Sequence, residues 1–101
     1  MTLTIRIDQA KAAEQAQARL TATVQDFLDA TARSRGYDSA LSCVSYIDST
    51  VASYRTEATA MRDWRDAVWV RCLQLLAEVK LGRRPIPTEV ELVALLPTIQ
   101  W

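Results

Sequence analysis

Between Ser53 and Leu81 the apolar residues Met61, Trp64, Val68, Cys72, Leu75 and Val79 recur at steps of three and four, and the stretch holds no Pro or Gly. That spacing predicts one long amphipathic helix with a broad apolar face. Trp69, Leu73 and Leu76 widen the face, so the helix is expected to make contacts on more than one side. Its length would be about 40 Å, enough for every other segment to pack along it.

A second long helix is expected from Gln9 to about Arg35, a stretch rich in Ala and Gln that meets no breaker before Gly36. Ala10, Ala13, Gln17, Leu20, Val24, Phe27 and Thr31 form a heptad seam. The first half of that seam is small and polar and the second half is large and apolar, so Leu20 to Leu28 should join the main core. An ordinary amphipathic helix within one chain accounts for the same seam. Asp8 reads as the N-cap, Asp29 and Arg33 are spaced for an ion pair, and Gly36 reads as a left-handed C-cap.

Two short helices complete the pattern. Asp38 or Ser39 can cap one running to about Ile47, and Thr88 with Glu91 forms a capping box ahead of Val90, Leu92, Val93, Leu95 and Leu96. Ser53 is the expected cap of the long helix and Gly82 its end, followed by the extended connector Pro85-Ile86-Pro87. The last helix should fold back over Leu73 and Leu76, and Trp101 should lie on the core.

Residues 2–7, TLTIRI, break the helical rhythm. Leu3, Ile5 and Ile7 alternate with Thr2, Thr4 and Arg6, a strand pattern rich in β-branched residues. No second strand is legible to pair with it, so its backbone groups point to another copy of the chain or to the edge of another protein's sheet; the alternative is a disordered arm, common at chain ends. The expected fold class is therefore all-α, a four-helix arrangement of two long and two short helices with a short N-terminal β-strand arm. Residues 1–8 read as the arm and residues 9–101 as a single helical domain.

Composition narrows the chemistry. Twelve basic residues balance twelve acidic ones, which argues against a nucleic-acid binder or a polybasic membrane anchor. No apolar run approaches the ~20 residues of a membrane span, and the first ten residues lack the apolar core of a signal peptide, so synthesis in a cytoplasm is expected. There is no His, no Gly-rich phosphate loop and no CxxC spacing. Cys43 and Cys72 read as buried free thiols. Asp63 and Asp66 alternate with Arg62 and Arg65 as a solvated charged face, with Arg62 and Asp66 spaced for an ion pair. The basic cluster Lys80, Arg83 and Arg84 suits the negative end of a helix without any ligand. No enzyme, cofactor or metal is expected.

One set of motifs goes further. GYDSALSCVSYIDS from Gly36, then WRDAVWVRCLQLLAEVKLGRRPIPTEVELVALLP from Trp64, led in by DATARSRGYDS from Asp29, resembles a small helical domain of tail-fibre and tail-fibre-assembly proteins of tailed bacteriophages and prophages. The family brings no catalytic residues. The resemblance implies a non-enzymatic structural or assembly protein of a phage tail, acting through protein contacts; the alternative is a prophage-encoded adaptor or regulatory protein that binds a host protein. Its location would be the bacterial host cytoplasm during synthesis, then the virion tail. Partners would be phage tail or tail-fibre proteins and the chain itself, as a dimer before a trimer. The interaction candidates are Leu3, Ile5, Ile7, Ala10, Ala13 and Trp69.

Overall fold

The computed structural model describes the backbone of residues 2–101 and the side chains of residues 11–101. Four helices make up the fold: α1 (Thr2–Arg33), α2 (Ala40–Val44), α3 (Ala52–Lys80) and α4 (Glu89–Ala94), and no strand occurs among the described residues. The two-long, two-short helical arrangement is as expected. The strand arm expected over residues 2–7, and the Asp8 cap beside it, fall within the span of α1 in the stretch whose side chains lie outside the described residues. The side chains of Leu3, Ile5, Ile7 and Ala10 lie outside the described residues.

Both long helices end on the same device. Gly36 has φ +90°, its amide donates to the Arg33 carbonyl at 2.9 Å, and the Tyr37 amide reaches back to Ala32 at 3.2 Å. Gly82 has φ +72°, with the matching bonds to Val79 (3.0 Å) and from Arg83 to Glu78 (2.9 Å). These are Schellman motifs, in which glycine takes the left-handed position that a Cβ disfavours.

The helix starts differ from one another. Ser39 caps α2 by accepting from the Ser42 amide at 3.0 Å. Thr88 and Glu91 close the expected capping box on α4. Ser53 does not cap α3; the helix starts one residue after Val51, which has no side-chain cap, and the Ser49 hydroxyl accepts from the Val51 amide instead.

Packing is antiparallel along the two long helices. Near one end the Arg35 guanidinium meets the Glu57 carboxylate at 3.3 Å, and further along the Phe27 and Trp64 rings meet edge to face at 5.4 Å. The buried core takes Val24, Leu28 and Ala32 from α1, Ala40 and Cys43 from α2, Met61, Trp64, Val68 and Leu75 from α3, and Leu92 and Leu96 from α4. The large half of the seam thus joins the core as expected. Ala13 and Gln17 stay exposed, and Ala16, one position off the seam, is buried in their place.

Two expected ion pairs are replaced. Asp29 does not bind Arg33; its carboxylate accepts from the Ala40 amide at 3.0 Å and so fastens α2 to α1, while Arg33 donates to the Asp38 carbonyl. Arg62 and Arg65 pair with their neighbours Asp63 and Asp66 on an exposed face, where such pairs contribute little.

Helix α4 docks on a side that the sequence did not indicate. The Trp64 indole donates to the Pro97 carbonyl at 2.7 Å, the Arg71 guanidinium to the Leu95 carbonyl at 3.4 Å, and Arg19 of α1 pairs with Glu89 at 3.3 Å. Leu92 and Leu96 are buried, Val90 faces out, and Leu73 is left 66 % exposed instead of covered.

Candidate functional site

The uncovered side of the helix pair is a groove of about 330 Å³. Ala13, Ala16, Gln17, Leu20, Thr21 and Val24 of α1 form one wall. Trp69, Cys72, Leu73, Leu76, Val79 and Lys80 of α3 form the other. Ile86 and Pro87 of the connector and Leu92 of α4 border it. The walls differ in kind: the first half of α1 presents small or short residues, and α3 presents large ones. Among the described residues Lys80 is the one charged residue in the lining.

A change along one face of α3 creates this site. The outward sector of its first half carries Arg62, Asp63 and Asp66. One turn later the same sector carries Trp69, Val70 and Leu73, and then Ala77 and Leu81. Val70 and Leu81 are more than half exposed beside the groove. A helix that is apolar around most of its circumference is a buried helix in the usual case, and here only part of that circumference is covered by the chain itself.

Of the candidates read from the sequence, Ala13 and Trp69 meet on this groove, one in each wall. The apolar spacing predicts buried anchors at both Trp64 and Trp69, and Trp64 is one. Trp69 is only half-buried, packed against the core on one side and open to the groove on the other. Leu73, Ile86 and Cys72 belong to the site and were not among the candidates. The signal for Leu73 was present, since it widens the apolar face, but α4 was expected to cover it. Cys72 shares the groove and is half-buried, with its thiol pKa raised by burial; Cys43 is fully buried, and both are free thiols.

A second cluster sits at the α2 end. The Tyr37 hydroxyl donates to Glu57 at 3.0 Å, the Cys43 thiol lies 3.7 Å from the Glu57 carbonyl, and the ring of Tyr46 meets Tyr37 tilted at 5.5 Å and Tyr54 edge to face at 5.4 Å. Burial, then the hydrogen bond to Glu57 and its charge, push the Tyr37 hydroxyl up to about 12. Burial and the Glu57 charge push the Cys43 thiol up to about 11. Both groups are held protonated, the reverse of an activated nucleophile. The cluster ties α2 and the turns on either side of it to α3.

A pH effect follows from these shifts. Tyr37 in the folded chain titrates above its ordinary value of 10.0. Its contribution is therefore fully present below pH 10 and is lost as the pH rises through about 12. Tyr37→Phe is expected to lower stability by about 1 kcal/mol at neutral pH through the lost hydrogen bond. It should also flatten the fall in melting temperature between pH 10 and 12, leaving the part due to Cys43. Thermal melts of both proteins across that range check it; equal slopes would show that Tyr37 does not titrate with folding.

Among the described residues no three metal-ligating side chains come together, and no helix is long and apolar enough to cross a membrane. No family model matches the chain, and no curated protein and no solved structure is similar to it at a significant level.

Proposed function

We propose that this protein acts by binding other proteins through the groove between α1 and α3, without catalysis, as a structural or assembly component of a phage tail. The observation that carries the binding role is the change on α3 from a charged to an apolar sector at Trp69, which leaves Val70, Leu73 and Leu81 uncovered. Large exposed apolar residues grouped on one surface mark a contact site more often than chance exposure does. The phage assignment rests on the resemblance of residues 29–97 to tail-fibre-associated helical domains. Its partners would be tail or tail-fibre proteins, met in the bacterial cytoplasm during assembly.

Leu73→Glu tests this reading, because the side chain is already exposed and the charge spoils only the groove. Phage produced with the variant is expected to show fewer or incomplete tail fibres, with the protein still folded by circular dichroism. A component of the virion would co-purify with particles at fixed copy number, and an assembly factor would be absent from them. Normal fibres with the variant, together with loss of binding to a host protein, would favour the adaptor reading.

A further inference from the structure

We infer that the groove is closed by a second copy of this chain, related by a two-fold axis running along the groove, so that α1 and α3 of both copies form an antiparallel four-helix bundle. The inference rests on the groove being a protein-contact surface and names its occupant.

Four features favour the chain's own copy. First, the two walls complement each other in size. A two-fold axis parallel to the helices lays α1 of one copy on α3 of the other. Ala13 and Gln17, both exposed, then face the level of Leu76 and Lys80, and Leu20 faces Leu73. Small residues meet large ones, as ridges meet grooves in packed helices. Second, direction agrees. Because α1 and α3 run antiparallel within one copy, this axis makes every neighbouring pair in the bundle antiparallel, the arrangement of up-and-down bundles.

Third, charge agrees. The chain carries no net charge, so two copies do not repel. The exposed Glu14, on the outer edge of the α1 wall, comes to the level of the partner's exposed α3 end, where Lys80 is the lining cation.

Fourth, the area is of the right order. Leu73, Leu81, Val70 and Ile86 are 66, 64, 54 and 48 % exposed. Together they offer on the order of 400 Å² of apolar surface, a size that marks interaction patches. A standard interface takes about 800 Å² from each partner. On the α1 wall the exposed Ala13 and Gln17 add to that surface.

Sedimentation velocity and light scattering on the full chain over a wide concentration range test the pairing. Twice the chain mass is expected, at a concentration-dependent fraction. Leu73→Glu should weaken the dimer by about 100-fold or more, by placing a charge in an apolar contact, while the monomer keeps its helical signal and cooperative melt. Glu14→Lys and Lys80→Glu should each weaken it, and the double exchange should restore it. Restoration supports α1 lying on the partner's α3. A dimer that Leu73→Glu leaves unchanged, a trimer, or a double exchange without restoration overturns the arrangement. A protein that is monomeric at every concentration, yet still binds a tail protein and loses that binding with Leu73→Glu, overturns the self-pairing alone and leaves the contact role standing.

Discussion

Replacing Trp64 with alanine is expected to lower the unfolding free energy by about 3 to 5 kcal/mol, the usual range for emptying a large aromatic site. The side chain is 5 % exposed, its ring meets Phe27 edge to face, and its indole N–H holds the Pro97 carbonyl at 2.7 Å. Truncation removes packing from α1 and α3 and releases the segment after α4 in the same step. Since domains of this size are stable by about 5 to 15 kcal/mol, this is a large share of the total, and a domain near the lower end of that range would be unfolded by it. Urea unfolding followed by far-ultraviolet circular dichroism measures the loss. Trp64→Phe keeps most of the packing and loses the hydrogen bond, and should fall between the two. A cost for Trp64→Ala below about 1 kcal/mol, the size of an ordinary surface substitution, would show that the core is anchored elsewhere.

Removal of residues 88–101 should have a larger effect. Leu92 and Leu96 are part of the same buried cluster as Trp64 and Val68, and Leu95, Ile99 and Trp101 pack on its edge. At about 1.5 to 3 kcal/mol for each fully buried apolar side chain, Leu92 and Leu96 alone account for roughly 3 to 6 kcal/mol. The partners of the Trp64 indole and Arg71 guanidinium go with them. The shortened chain is expected to keep part of its helical signal, lose its sharp thermal transition and bind a hydrophobic dye. A shortened chain that melts as sharply as the full one, at a similar temperature, would make α4 an accessory.

What could be read beforehand was what depends on neighbours in sequence. Gly36, Gly82, Ser39 and the Thr88–Glu91 box mark helix ends because each acts within a few residues of itself. Met61, Trp64, Val68 and Leu75 mark the core face because a helix fixes their direction. The errors fall where a local pattern had two solutions or where the answer lay across the fold. Asp29 has Arg33 at helical spacing, yet the Ala40 amide from another helix takes its carboxylate. The groove was half legible. Trp69 and Leu73 were visible as extra apolar positions on α3, and Ala13 as a small one on α1. Which side α4 would leave open depends on the path of Pro85-Ile86-Pro87, and nothing in the periodicity of either long helix specifies that path.

The slender outline of the molecule has a consequence for how it moves in water. The chain spans 62 × 22 × 21 Å, and its radius of gyration is 16.9 Å, against about 13 Å for a compact domain of this length. Drag on such a rod exceeds that on a sphere of equal mass. A single copy therefore diffuses slowly for its 11.3 kDa and tumbles faster about its long axis than end over end. Side-by-side pairing along the groove would thicken the rod more than lengthen it, so the paired form would be the rounder particle, with a frictional ratio lower than that of the single chain.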